Sequence, residues 1–173
     1  MRTLLNDIRE KLQATGLFKY IDDDWGQLDD YASNPPTKWP CALVDIIDAK
    51  PESLGRVVQQ LECTILIRLA DIRTSNSSQQ APTGQRAKSA ELFGMAQTVF
   101  AGLHGWHKPG SGYGTLSRVG FRRSHRDDGI REYHILFKSL VRDVVAAVET
   151  EDLSENVPDT IRPDIQVVAE VSS

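Results

Sequence analysis

Gln60-Leu61-Glu62-Cys63-Thr64-Ile65-Leu66-Ile67-Arg68-Leu69 is the stretch on which the fold turns. Leu61, Cys63, Ile65, Ile67 and Leu69 alternate with Gln60, Glu62, Thr64, Leu66 and Arg68, and that period of two marks a long half-buried strand. Just upstream, the run from Cys41 to Ile47 (CALVDII) is apolar on both alternating faces, as expected of a strand covered on two sides in the interior of a sheet. Only a short connection containing Pro51 and Gly55 separates the two, so they should pair antiparallel.

A second pair of strands lies downstream. From Ile130 to Val141, Tyr133, Ile135, Phe137 and Val141 alternate with Glu132, His134 and Lys138. A turn at Asp127, Asp128 and Gly129 joins this run to a strand expected over Thr115 to Ser124, giving a second hairpin. The glycine-rich stretch HGWHKPGSGYG, His104 to Gly114, precedes it as a turn.

Two helical patterns complete the set. Leu4, Ile8 and Leu12, with Leu5 beside them, form one stripe of an amphipathic helix over Thr3 to Thr15, which Gly16 ends. Leu92, Ala96, Val99 and Leu103, flanked by Ala90, Phe93 and Phe100, predict a second over residues 86 to 103. The sequence therefore predicts an α+β fold in two layers: an antiparallel or mixed four-stranded sheet with two helices packed on it, in the order α-β-β-α-β-β. At 173 residues, one such core accounts for a single domain over residues 1–148.

Between these elements, residues 20 to 40 hold Asp22, Asp23, Asp24, Asp29, Asp30, Pro35, Pro36 and Pro40 and read as a long loop, pinned by Trp25, Tyr31 and Trp39. The aspartates lack the alternating spacing and terminal Glu of a calcium loop, so a solvated acidic loop is expected. Residues 71 to 85 are rich in Ser, Asn, Gln, Thr, Gly and Pro and read as an exposed, mobile loop available to a partner.

Charge is unevenly distributed. From Glu149 onward there are seven acids and one base, so the net −6 of that segment leaves the first 148 residues at +2 in a chain of net −4. The segment 149–173 reads as an acidic tail, flexible or ordered by a partner, because it holds few large apolar residues to bury. Against it stand Arg118, Arg122, Arg123, His125, Arg126 and Arg131, crowded onto the second hairpin.

No catalytic or cofactor pattern emerges. His104 and His107 form an HxxH on a turn without the Glu of the metalloprotease spacing, and surface turn residues are expected. Gly110, Gly112 and Gly114 follow a helix and precede a strand, the reverse of a phosphate-binding order. Cys41 and Cys63, in apolar surroundings and far apart, read as small core residues rather than ligands. The arginine hairpin suits phosphate contact, but no recognition helix or aromatic RNA-binding signature accompanies it. The N-terminus lacks a targeting pattern and no run approaches the ~18 apolar residues of a membrane span, so synthesis and retention in a cytosol are expected.

The layout carries a resemblance. An N-terminal helix ends at Gly16; an acidic, proline-containing loop reaches Lys38-Trp39-Pro40-Cys41-Ala42-Leu43-Val44; the long strand Leu61 to Ile67 follows. A helix then ends Val99-Phe100-Ala101-Gly102-Leu103, and the last strand holds Tyr133-His134-Ile135-Leu136-Phe137. Over roughly residues 3 to 142 this resembles the tail-terminator or tail-completion proteins of tailed phages, including minor tail proteins of Mu-like prophages.

The resemblance implies a non-enzymatic virion protein without a cofactor or catalytic residues, assembled in the bacterial host cytoplasm as a ring, commonly of six copies. The ring would sit at the head-proximal end of the tail tube, with tube and neck proteins as partners. Nucleic acid would be met only as DNA passing through the lumen. The charge segregation adds a candidate subunit or partner interface in Arg118, Arg122, Arg123, Arg126, Arg131, Trp106, Asp152 and Glu155, where basic hairpin and acidic tail meet across a subunit boundary. Competing readings are another neck or baseplate adaptor, a small nucleic-acid-binding module using the arginine hairpin, and a small enzyme using His104 or His107.

Overall fold

The computed structural model describes residues 1–29, 38–54, 58–72 and 74–143. It contains α1 (Arg2–Gln13), β1 (Tyr20–Asp23), β2 (Cys41–Ser53), β3 (Gln59–Ile72), α2 (Thr83–Leu103), β4 (Ser117–Ser124) and β5 (Ile130–Asp143). They form a single five-stranded sheet in the order β1-β2-β3-β5-β4.

The α+β class stands, and the strand count is corrected from four to five. The extra strand, β1, lies at the start of the segment read as loop and pairs parallel with β2, Tyr20 opposite Cys41 through Asp23 opposite Val44. Four residues with two aspartates carry too little alternation to signal a strand. The element order becomes α-β-β-β-α-β-β.

Gln60 to Leu69 lies in the central strand of the sheet. β3 pairs antiparallel with β2, and with β5 over an unbroken register from Gln59 opposite Asp143 to Ile72 opposite Ile130. β4 closes the far side against β5. Because β3 and β4 flank β5 and run in the same direction, α2 serves as the crossover between them.

Both helices cover one face. Leu4, Ile8 and Leu12 of α1 and Leu92, Ala96, Val99 and Leu103 of α2 are buried against the β3 residues Leu61, Cys63, Ile65, Ile67 and Leu69, with Ile135 and Phe137 from β5. Every residue of the two periodic helical stripes is in this core. Burying each large side chain contributes about 1.5–3 kcal/mol before chain entropy is counted.

The glycine-rich stretch has a structural task. Gly105, Gly110 and Gly112 take positive φ (76°, 78° and 72°), a region open to glycine without strain. The chain so bent lies along β5, where Tyr113 bridges to Val141 and the Gly114 amide donates to the Leu140 carbonyl at 2.7 Å. Asp7 of α1 accepts from Lys108 Nζ at 2.6 Å and Tyr113 OH at 3.0 Å, fastening the segment to the helix layer.

Among the described residues, the second face is only partly covered. Residues 24–29 fold over one end of it and drive Leu28 into a small second core with Cys41, Leu43, Ala70 and Ile130. This segment positions the site described next.

Candidate functional site

The turn after β1 is built by its own side chains. Asp24 Oδ1 accepts from the Gly26 amide at 3.1 Å, while Gln27 accepts from the Trp25 amide and donates to the Asp23 carbonyl, both at 2.9 Å. Gly26 supplies the positive φ (93°) that the bend requires. Gln27 and Leu28 are thereby fully buried, and Asp24 and Asp29 are brought down onto the sheet.

There they meet Arg68. The side-chain parity of β3 sends Arg68 to the face opposite the helices, and it is only 6% exposed. Its Nη1 lies 3.1 Å from Asp24 Oδ2, its Nη2 2.8 Å from Asp29 Oδ1 and its Nε 2.6 Å from Glu132 Oε1. Glu132, in the neighbouring strand, has a fully buried side chain and also accepts from Arg126 Nη1 at 3.0 Å. Arg126 itself is held by Asp128 through Nε at 3.1 Å.

His134 links this network to the sheet edge. Arg122 Nε donates to His134 Nδ1 at 3.1 Å, so the ring carries its proton on Nε2 and donates to Glu132 Oε1 at 2.6 Å. Two guanidiniums thus face four carboxylates, and a third approaches through the imidazole.

Burial alone would push the Glu132 carboxyl upward. The bonds from His134 and Arg68, the Arg68 charge and the bond from Arg126 outweigh it and hold the group down at about 2. The Arg68 bond likewise lowers Asp29. Burial works against the Arg68 cation, but its bonds to Asp29 and Glu132 and the charges of Glu132 and Asp24 raise it further above its ordinary range. The network is therefore a charged clamp that pins the 24–29 segment to the sheet.

The hairpin arginines named from the sequence divide by what their guanidiniums do. Arg126 belongs to the clamp, and Arg131 donates to the carbonyls of Ser89 at 2.9 Å and Ser75 at 2.8 Å, tying β5 to α2 and the preceding loop. Arg118, Arg122 and Arg123 are exposed on β4. The Arg118 guanidinium lies 3.6 Å from the Phe100 ring centre, a cation–π contact. Trp106 packs half-buried against the main core, with Lys11 Nζ 5.5 Å from its ring centre. Asp152 and Glu155 lie outside the described residues.

Comparison with solved structures gives a match in fold. A chain from the structure titled "Virion of native gene transfer agent (GTA) particle" aligns with a TM-score of 0.53 at 14% identity, covering 79% of this chain and 92% of that one. No protein-family model matches the sequence, and no curated protein matches it.

The expectation of a solvated acidic loop is corrected in part: the Asp24 side chain is 9% exposed and paired with Arg68. His104 and His107 are exposed, and His104 Nδ1 accepts from the Arg118 amide at 3.2 Å. Both cysteines are buried and unbridged. Among the described residues, no three His, Cys, Asp or Glu side chains are grouped to hold a metal ion.

Sequence reasoning missed the clamp. Arg68 and Glu132 occupy the polar positions of alternating strands, where exposure is the ordinary expectation. The available signal was the aspartate cluster, five aspartates between residues 22 and 30 with no Lys or Arg among them.

Proposed function

We propose that the chain is a structural, non-catalytic component of a tailed-phage or phage-like virion, acting as a tail-terminator or tail-completion subunit. In this role copies assemble as a ring on the head-proximal end of the tail tube, end its growth and offer a surface to the neck. The observation that carries the reading is the fold match to a chain of a gene transfer agent virion, which extends over 92% of that chain. The layout resemblance to tail-completion proteins, made on different grounds, points the same way.

A genetic test follows directly. Particles assembled without this chain should carry tails of uncontrolled length or tails that fail to join heads, and supplying the protein should restore uniform tails with added density at the head-proximal end in electron micrographs. Tails of normal length, joined to heads in its absence, would rule the reading out.

A further inference from the structure

The two sides of the sheet differ in charge. β4, from Ser117 to Ser124, pairs with β5 alone among the described strands and carries Arg118, Arg122 and Arg123 with no acid. Large apolar groups accompany them: Val119 is 52% exposed and Phe121 42% exposed. Phe93 of α2 meets the Phe121 ring edge-on at 6.0 Å, and a cleft of about 260 Å³ opens between α2 and β4.

On the opposite side, β1 pairs with β2 only as far as Val44, so among the described residues no strand pairs with the outer edge of β2 from Asp45 to Glu52. Asp22 and Asp23 of β1 and Asp45, Asp48 and Glu52 of β2 lie along it. Among the described residues, cations near them are Arg9, 3.0 Å from Asp23, together with Lys19 and Lys50, the last 4.0 Å from Asp48. Exposed apolar groups occur here too, in Trp25 and Ile47.

We propose that these edges are the two halves of one contact: the basic, aromatic β4/α2 edge of one copy docks on the acidic β1/β2 edge of the next. This deepens the ring reading and rests on it. Because the two patches lie on opposite edges of the sheet, they meet in a head-to-tail arrangement, whereas a single twofold contact would use one edge of each copy. The contact is made by side chains rather than by a continuous intermolecular sheet. Bulges at Arg118/Gly120 and Ile46/Asp48 interrupt both edges, and Pro51 lacks an amide hydrogen on the acidic one.

Charge-swap variants of the full chain test this by native mass and sedimentation over a concentration series. Arg118→Glu with Arg123→Glu makes both edges acidic, and Asp45→Lys with Asp48→Lys makes both basic. Each double variant, checked for a native near-ultraviolet circular dichroism spectrum, should self-associate on the order of 100-fold more weakly than wild type, and mixing the two should restore association. Raising salt should weaken wild-type association, an arm that stands even if a variant fails to fold.

Association of wild type that neither variant nor salt alters would overturn the docking and leave the ring reading in place. Loss on the β4 side alone would overturn it as well, assigning that edge to another occupant such as the acidic segment 149–173. A wild-type chain that stays monomeric throughout, alone and with tail tubes, would overturn both.

Discussion

Replacing Glu132 by Gln keeps the shape of the buried side chain and removes its charge. The carboxylate accepts from Arg68, Arg126 and His134 and is held at about 2 against an ordinary 4.5. That difference corresponds to about 3 kcal/mol of stability, an order-of-magnitude figure. The folded-state value is depressed, so the stabilisation is complete above 4.5 and disappears as pH falls toward 2. Urea unfolding of wild type and Glu132→Gln at pH 7, 5 and 3 reads this out. The variant should be less stable by about 3 kcal/mol at pH 7, and the gap should narrow between pH 4.5 and 2. Asp22, Asp29 and Asp128 are lowered too and steepen the acid response of both proteins, so the gap between the two reports chiefly on Glu132 and the partners it shares with Asp29 and Asp128. A variant within about 0.5 kcal/mol of wild type at pH 7, or a gap independent of pH, would refute the reasoning.

Two further outcomes concern other parts of the fold. Tyr113→Phe removes the 3.0 Å hydrogen bond to buried Asp7 and should lower stability by about 1–2 kcal/mol in thermal or urea unfolding; an unchanged midpoint would show that the glycine-rich segment is not fastened through this bond. Burial pushes the Cys41 thiol up to about 12 and also raises Cys63, so neither should react with a thiol reagent at pH 8 until the chain unfolds, and rapid labelling of the native protein would contradict their placement.

The elements that could be read directly were those with a sustained period. The alternation from Leu61 to Leu69 located the central strand, and its antiparallel pairing with the Cys41 strand followed from the short connection between them. The stripe Leu92, Ala96, Val99 and Leu103 picked out the buried residues of α2, although the helix begins at Thr83, three residues before its expected start at residue 86. What escaped was short or non-local. β1 has four residues and is recruited by its pairing with β2. The residues of the clamp are separated by 39 to 64 positions along the chain from Arg68, so no window of sequence contains both sides of it. The arginine hairpin was legible as a concentration of charge, but not as two populations, because Arg126 also donates to the Leu28 carbonyl and Arg131 to those of Ser75 and Ser89, all remote in sequence.

The clamp also bears on why the open face is built from ions where hydrocarbon would fit. A buried ion pair of this kind typically gains little over well-packed apolar residues, while removal of one partner costs about 3–5 kcal/mol because the other is left uncompensated. Directionality is the physical difference. Leu28 could be buried by many placements of the 24–29 segment, whereas Asp24 and Asp29 reach Arg68 only when the turn at Gly26 has its observed geometry. The same linkage runs through Glu132 and His134 to Arg122 on the exposed edge strand, so the backbone beside the acidic edge and a cation of the basic edge are held in one hydrogen-bonded unit. The proposed head-to-tail contact would use both edges of every copy at once. Fixing their relative placement within the subunit reduces the ordering cost of closing such a contact.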